Sequence, residues 1–147
     1  MGDNGHSAQV SSRKGRPKRD PNMVEILVID DEYNVRSVMT EALTSCGYQV
    51  YLADGSTVVD ALAAREYNLI ITDLRMPVMD GMQIIARARE ESPGVKIIVT
   101  TGYPSEDTLE RCKEMGVDRY LVKPFSIGEI RQVARNVLRG NTTSDIQ

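Results

Sequence analysis

The sequence predicts an α/β fold in which a parallel sheet is covered by helices on both faces. Five short apolar runs of strand length alternate with stretches in which apolar residues recur at helical spacing. The third and fourth runs are almost continuously apolar, as expected for parallel strands that are buried on both faces. Four of the runs end in polar residues, as expected where parallel strands stop at one edge of a sheet.

The first two strand–helix units are predicted between residues 24 and 65. The first strand covers about 24–30, and Gly47 is placed to end the helix that follows it. That helix carries apolar residues at helical spacing: Val35, Val38, Ala42 and Cys46. The second strand covers 48–52. The second helix starts near Ser56 and carries Val58, Ala61, Leu62 and Arg65.

The third unit begins with a strand over 68–73. A loop containing Met76-Pro77 and Asp80-Gly81 leads into a helix marked by Ile84, Ile85 and Ala88. The sequence Ser-Pro-Gly at 92–94 ends this helix, because proline and glycine both interrupt helical structure.

The last two units follow the same pattern. The fourth strand covers 95–100, and Gly116 closes a helix marked by Leu109, Cys112 and Met115. The fifth strand covers 118–122. An amphipathic helix that ends near Gly140 carries the last apolar residues: Ile127, Ile130, Val133, Ala134, Val137 and Leu138.

The chain has 147 residues, which fits one domain with short extensions. We predict a disordered basic tail at 1–22, a folded domain at 23–140 and a disordered C-terminal end at 141–147. No apolar run approaches the ~18 residues that a membrane span needs, and the N-terminus lacks the apolar stretch of a secretion signal. We therefore expect a cytoplasmic protein without a membrane partner. Cys46 and Cys112 are interpreted as small apolar helix residues in a reducing compartment.

Charge is unevenly distributed along the chain. Residues 1–22 contain five basic and two acidic residues, whereas the rest of the chain contains 13 basic and 19 acidic residues. A basic arm on an acidic body indicates either a separate partner for the arm or a solvated segment. The candidate contacts with nucleic acid in this arm are Lys14, Arg16, Lys18 and Arg19.

Polar residues at four strand ends predict a functional site. Asp30-Asp31, Asp73, Thr100 and Lys123 each follow a strand-like run. Since the carboxyl ends of parallel strands meet at one edge of the sheet, these side chains are expected to share one crevice. Lys123 is followed by Pro124, which predicts a constrained turn with a cis peptide bond.

This residue set favours phosphoryl transfer with an aspartate as acceptor. Clustered carboxylates repel one another unless a cation joins them, and Mg²⁺ prefers such oxygen ligands. Asp73 is a competent nucleophile because its carboxylate is ionised near neutral pH. Each residue alone has an ordinary alternative: Asp73 in a turn, the acidic pair at a helix N-terminus, Thr100 as a β-branched strand residue, and Lys123 in water.

The chain resembles the receiver domain of two-component response regulators. The resemblance covers about 24–138, and its motifs occur in the family's order and spacing. They are Val-Ile-Asp-Asp-Glu at 28–32, Ile-Thr-Asp-Leu-Arg-Met-Pro at 71–77, Asp-Gly at 80–81, Ile-Val-Thr-Thr-Gly-Tyr at 98–103, and Gly-Val-Asp-Arg-Tyr-Leu-Val-Lys-Pro-Phe at 116–125. The resemblance implies a flavodoxin-like (βα)5 fold with strand order 2-1-3-4-5.

The resemblance also implies roles for the site residues. Asp73 would take a phosphoryl group from the phosphohistidine of a histidine kinase or phosphotransfer protein. Asp31, Asp73 and the backbone carbonyl of Arg75 would bind Mg²⁺ directly, with Mn²⁺ as the alternative ion, and Asp30 would act through water. Lys123 would pair with Asp73 and then with the phosphoryl group.

The same resemblance implies a switch. Thr100 would turn towards the phosphoryl group and Tyr120 would move inward behind it. The face formed by the fourth helix, fifth strand and fifth helix would then change. The protein would not be an enzyme beyond its own phosphorylation and dephosphorylation. Its signal would pass to a downstream target protein or to an output domain missing from this chain, because only nine residues follow Leu138.

Two other function classes are considered. A hydrolase with an aspartyl-phosphate intermediate usually needs a second carboxylate two residues after the nucleophile, and Arg75 stands there instead. A DNA-associated protein acting through the tail is the other alternative. The segment Lys-Gly-Arg-Pro-Lys-Arg at 14–19 partly resembles the AT-hook, which places arginine in narrow A·T minor grooves.

Overall fold

The computed structural model describes residues 15–77 and 79–140. The strands are β1 Glu25–Ile29, β2 Gln49–Ala53, β3 Leu69–Asp73, β4 Lys96–Thr101 and β5 Arg119–Val122. The helices are α1 Tyr33–Thr44, α2 Val58–Ala64, α3 Gly81–Glu91, α4 Glu106–Glu114 and α5 Ile127–Leu138. Disorder was predicted for 1–22 and 141–147, and of these segments residues 1–14 and 141–147 lie outside the described residues.

All five strands pair in parallel in the order β2-β1-β3-β4-β5. This order confirms the predicted flavodoxin-like (βα)5 sheet. The register aligns Asp73 with Thr100 and Thr101 with Val122, so the ends of β3, β4 and β5 lie side by side. Backbone pairing between strands therefore sets the relative positions of these residues at the site edge.

Two apolar layers pack against the sheet, one on each face. Alternate residues of β1 enter opposite layers: Leu27 and Ile29 join one, whereas Ile26 and Val28 join the other. Helices α2, α3 and α4 cover the first layer through residues such as Leu62, Ile84 and Cys112. Helices α1 and α5 cover the second layer through Met39, Leu43, Val133 and Val137. Both faces of the sheet are therefore buried, as the continuous apolar strands predicted.

The helix ends follow local chemistry. Gly47 and Gly116 adopt φ values of +89° and +72°, which favour glycine, so both act as the predicted stop signals. Cys46 lies in the turn beyond α1 and not within the helix. The Asp80 side chain accepts a hydrogen bond from Met82 N and caps α3, and α4 begins with a capping box.

The described part of the N-terminal arm contacts the folded domain. Arg16 Nη1 donates to Glu91 Oε1 at 3.2 Å, and Arg16 Nη2 donates to the Glu91 carbonyl at 2.9 Å. The Arg16 side chain is only 6% exposed. The arm from residue 15 onward therefore has a defined anchor at the end of α3, which the composition of the segment did not predict.

No helix of the described residues is both long and apolar enough to cross a membrane.

Candidate functional site

The predicted site residues converge at the carboxyl edge of the sheet. Asp73 is the last residue of β3, and Thr100 lies opposite it in β4. Asp30 directly follows β1, and Lys123 directly follows β5. The Lys123 ammonium contacts both Asp30 and Asp73. These strand-end side chains therefore share one crevice, as predicted.

Asp73 is largely buried, with its carboxylate beside one cation. Its Oδ2 lies 3.4 Å from Lys123 Nζ, and its Oδ1 accepts a long hydrogen bond of 3.5 Å from Arg75 N. Burial raises the pKa of Asp73, Lys123 opposes that shift, and the nearby Asp30 charge adds to it. The Asp73 carboxylate is thus poorly solvated and incompletely neutralised, which favours binding of a further cation.

Lys123 is held between three carboxylates. Its Nζ lies 3.0 Å from Asp30 Oδ2, 3.4 Å from Asp73 Oδ2 and 3.5 Å from Glu32 Oε1. Burial alone would lower the pKa of Lys123, but Asp30, Asp73 and Glu32 outweigh it and the pKa is raised. The ammonium therefore stays charged at neutral pH.

The backbone after β5 fixes the direction of Lys123. The Lys123 N–H donates to the Thr101 carbonyl at 2.8 Å, which extends the pairing with β4 by one residue. The Lys123–Pro124 peptide bond is cis, as predicted.

Asp30 and Asp31 differ sharply in environment. Asp30 is 1% exposed, and its Oδ1 accepts a hydrogen bond of 2.9 Å from Glu32 N. Its Oδ2 is buried and accepts no well-aligned hydrogen bond within the described residues, so it interacts with Lys123 through charge. Asp31 is exposed, and its Oδ1 accepts a hydrogen bond of 2.7 Å from Gly55 N. The second carboxylate is thus presented to the crevice and the first is buried beneath it.

The donor set fits Mg²⁺ with water completing the coordination. Asp31, Asp73 and Arg75 line one open cleft of about 430 Å³. Within 15–77 and 79–140, no three His, Cys, Asp or Glu side chains form a ready metal cluster. Mg²⁺ usually keeps several waters and needs only one or two carboxylates from the protein. Asp30 Oδ2 forms an ion pair with Lys123 but accepts no hydrogen bond within the described residues, so it is a further acceptor for such a water.

Thr100 and Tyr120 lie behind the acceptor, on neighbouring strands. Thr100 is 1% exposed and is aligned with Asp73 in the sheet. Tyr120 is half-buried in β5 and packs against the apolar layer formed with α2, α3 and α4. Its hydroxyl lies 2.9 Å from Thr108 Oγ1 in the first turn of α4.

A stacked pair at the mouth of the cleft was not predicted. The Arg75 guanidinium lies 4.6 Å from the centre of the Tyr103 ring, and both residues are exposed. Tyr103 is oriented by its own N–H, which donates to Thr101 Oγ1 at 3.0 Å. Such cation–π pairs contribute about 0.5–1 kcal/mol at exposed positions. The pair connects the β3–α3 and β4–α4 loops beside Asp73.

Close packing holds the loop after Asp73 against α3. A Cβ built on Gly81 would lie 2.9 Å from the Cα and carbonyl oxygen of Leu74, so only glycine fits without movement of the loop. The Asp-Gly motif at 80–81 thus combines the cap of α3 with a close backbone approach. This explains why those two residue types are needed beside the site.

The residues suggested to bind nucleic acid differ in their surroundings where the structure describes them. Lys14 lies outside the described residues. Arg16 is bound to Glu91, whereas Lys18 and Arg19 are exposed. The central arginine of the AT-hook-like segment is therefore engaged within the protein.

Comparison with known proteins supports this geometry. A family model described as the response regulator receiver domain matches residues 26–135. Sporulation initiation phosphotransferase F of Bacillus subtilis is 31% identical over 115 residues, covering 78% of this chain and 93% of that protein. The chain spans about half the length of several other curated relatives.

Solved structures share the fold. A CheY-like response regulator receiver domain protein from Methanospirillum hungatei has a TM-score of 0.75 and 25% identity, covering 81% of this chain and 96% of that one. A response regulator protein from Burkholderia pseudomallei, described with a phosphorylated aspartic acid, a calcium ion and citrate, has a TM-score of 0.71 and 28% identity. That match covers 80% of this chain and 68% of that one.

Proposed function

Because the chain belongs to the response regulator receiver family, we propose that Asp73 is its phosphoacceptor in a two-component system. The single observation that carries this proposal is the position of Asp73. It ends the central strand β3 at an open cleft, with Lys123 Nζ 3.4 Å from its carboxylate. A nucleophile, a fixed cation and an entry path are thus combined at one point.

The proposed reaction is a transfer from a phosphohistidine. A carboxylate oxygen of Asp73 attacks phosphorus, and the P–N bond to the imidazole breaks as the acyl phosphate P–O bond forms. The imidazole nitrogen takes the bond's electron pair and a proton from solvent. Burial raises the pKa of Asp73, and a cation bound beside the carboxylate would oppose that shift, since a neighbouring positive charge favours the ionised form that attacks phosphorus.

Lys123 and Mg²⁺ divide the electrostatic work. The Lys123 ammonium acts as a point charge that can contact the phosphoryl oxygens during transfer. It remains paired with the buried Asp30 carboxylate while it does so. Asp31, Asp73 and the Arg75 carbonyl would hold Mg²⁺, with Mn²⁺ as the alternative. Bound there, the ion would neutralise charge that develops on the phosphoryl oxygens.

The proposed switch is carried by Thr100 and Tyr120. A phosphoryl group on Asp73 offers an acceptor to the Thr100 hydroxyl across the β3–β4 pair. Movement of Thr100 leaves room into which the Tyr120 ring can turn, which would break its bond to Thr108. The face formed by α4, β5 and α5 then differs between the two states, as in other covalent switches.

The proposed partners follow from the reaction. A histidine kinase or phosphotransfer protein supplies the phosphoryl group in the cytoplasm, where kinases have access to ATP. The changed face acts on a downstream target protein or on an output domain. The protein's own chemistry is limited to its phosphorylation and dephosphorylation, so we do not assign it an enzyme activity on other substrates.

The experiment that tests this proposal also tests the hydrolase alternative. The protein is incubated with Mg²⁺ and acetyl phosphate while free phosphate is measured. A phosphoprotein with little phosphate release supports the receiver role. Continuous release over many turnovers indicates a hydrolase. The exposed Arg75, stacked on Tyr103, stands where hydrolases of this kind carry a carboxylate, which favours the first result.

No specific observation favours DNA binding as a second function. Arg16 is bound to Glu91, and the comparisons match the folded domain from residue 26 onward. Nucleic-acid binding through the tail therefore stays a prediction from sequence.

A further inference from the structure

A second cleft lies at the edge of the sheet opposite the phosphoacceptor. It lies beyond the end of α1 and beside β2 and α5, with a volume of about 490 Å³. Since the helices run antiparallel to the strands, the ends of α1 and α5 meet at the amino edge, whereas Asp73 lies at the carboxyl edge. The described residues that line it are Ser45, Cys46, Tyr48, Arg131, Arg135 and Arg139.

Every described side chain around this cleft can donate a hydrogen bond. Three are guanidiniums, two are hydroxyls and one is a thiol, and the described part of the lining contains no carboxylate. Arg131 and Arg135 lie on α5, and Arg139 is the residue that caps its C-terminal end. The spacing of four residues places successive arginines about 6 Å apart along the helix. They form a row of cations over about 12 Å on one side of the helix.

Two of the arginines contact residues beyond the end of α1, and none of the three forms an ion pair with a described carboxylate. Arg131 Nε donates to Ser45 Oγ at 2.9 Å, and Arg135 Nη2 lies 3.8 Å from Cys46 Sγ. Within 15–77 and 79–140, no carboxylate forms an ion pair with Arg131, Arg135 or Arg139. The chain outside residues 1–22 has 19 acidic residues against 13 basic ones. Three neighbouring arginines without an ion pair to a described carboxylate are therefore unusual in this acidic domain.

We propose that the cleft formed by Arg131, Arg135, Arg139 and Tyr48 binds the phosphate groups of a small polyanionic ligand, such as a pyrophosphate or a nucleoside polyphosphate. Guanidinium forks match phosphate oxygens in pairs, and the row of charges suits several linked phosphates. The Tyr48 ring offers an apolar surface beside them. This site is separate from Asp73 and does not depend on the proposed phosphorylation.

Cys46 provides a reporter that is already in the chain. Cys46 is half-buried at the cleft, whereas Cys112 is fully buried in the core. A thiol-alkylating reagent should therefore label Cys46 in the folded full-length protein, and a ligand held by Arg135 should slow this labelling. The measurement needs no change to the site itself.

The experiment titrates the full-length protein with pyrophosphate and with ATP at low salt. EDTA is present so that Mg²⁺ does not draw the ligand to the acceptor carboxylates. Amide shifts of 45–48 and 131–139 give the Kd, and the alkylation rate of Cys46 gives protection. We expect saturable binding with both signals. Arg135→Gln should raise the Kd by about tenfold, because one charge-assisted pair is lost.

Two variants keep this test decisive. Arg139→Gln changes an exposed helix end, so it should weaken binding without affecting folding. Arg87→Gln removes one charge from an arginine of α3 outside the cleft and should leave the Kd within about twofold.

Several results would overturn the proposal. One is the absence of saturable binding, and another is the same Kd for Arg135→Gln and the wild type. A third is a hexaglutamate peptide that binds as tightly as pyrophosphate or ATP, which would assign the cleft to acidic peptides. Protection of Cys46 that rises with protein concentration alone would instead assign it to a second copy of the chain.

Discussion

The Tyr120 hydroxyl is bonded to Thr108 Oγ1 at 2.9 Å, which connects β5 directly to the start of α4. Thr108 is also the third helical residue of the capping box, in which its side chain bonds Ser105. Tyr120, the residue proposed to move on phosphorylation, is therefore hydrogen-bonded to the capping box at the start of α4. Movement of Tyr120 cannot leave the first turn of α4 unaffected.

Replacing Tyr120 by phenylalanine should loosen this connection. The variant removes one hydroxyl and keeps the ring, so it should lower the free energy of unfolding by about 0.5–1.5 kcal/mol. Amide exchange should accelerate mainly at 105–109. Tyr103→Phe is the matched control because that ring is 69% exposed, and it should change stability by less than about 0.5 kcal/mol. Unchanged exchange at α4 in Tyr120→Phe would show that the bond does not couple the two elements.

Lys123 should be needed for stability as well as for transfer. Lys123→Ala leaves the buried Asp30 carboxylate without its cation. We expect the free energy of unfolding to fall by about 2–4 kcal/mol at neutral pH, measured by urea denaturation. Lys113→Ala removes an exposed lysine of α4 and should cost less than about 0.5 kcal/mol. Equal losses in both variants would contradict the account of Asp30.

Asp73 should destabilise the metal-free protein at neutral pH. Burial raises the pKa of Asp73, so the folded state binds more protons than the unfolded chain between the unfolded pKa of about 3.9 and the raised value. Stability therefore falls as pH rises through that window, and the loss is complete above it. Asp73→Asn should be more stable than wild type above the window, and this advantage should disappear below about pH 4.

Adding Mg²⁺ should reduce the stability difference between Asp73→Asn and the wild type. Binding to the folded state alone contributes about 1.4 kcal/mol when the ion is at ~10 times its Kd. The wild type should gain more than Asp73→Asn, because the variant lacks one carboxylate ligand. Thermal unfolding with Mg²⁺ and with EDTA measures both effects. Identical shifts in the two proteins would mean that Asp73 does not contribute to the metal site.

The N-terminal arm should stabilise the domain through Arg16. Arg16→Ala removes two hydrogen bonds to Glu91 from a side chain that is 6% exposed, and should cost about 1–2 kcal/mol. Arg19→Ala is the matched control, since Arg19 is exposed. Urea denaturation of both variants makes the comparison. If Arg16→Ala is as stable as Arg19→Ala, the contact with α3 is not maintained in solution.

The strand-end residues were predictable because a parallel sheet imposes their position. Asp73 and Thr100 end adjacent runs of apolar residues, and parallel pairing then brings them together without further information. Lys123 also follows a strand, so its position was predictable in the same way. Pro124 after it was the signal that predicted the cis peptide bond. Local signals also placed the helix ends, since Gly47 and Gly116 have the backbone conformation expected of stop residues.

Contacts between loops were not predictable in the same way. The Arg75–Tyr103 stack and the Arg16–Glu91 contact join segments that are 28 and 75 residues apart. No periodicity relates such positions, and long polar side chains can adopt many conformers. The arginine cleft beside α5 was likewise not predicted, because a helical pattern identifies which face is apolar but not what the polar face meets across a turn.

The measurement that tests the central claim most directly locates the phosphoryl group. The protein is treated with Mg²⁺ and acetyl phosphate, and the adduct is measured by intact mass and located by peptide fragmentation. We expect one phosphoryl group on Asp73, none in Asp73→Asn, and the wild-type adduct in Asp60→Asn, which changes an exposed aspartate of α2. An adduct that persists at the wild-type level in Asp73→Asn, or that maps to another residue, would contradict the account.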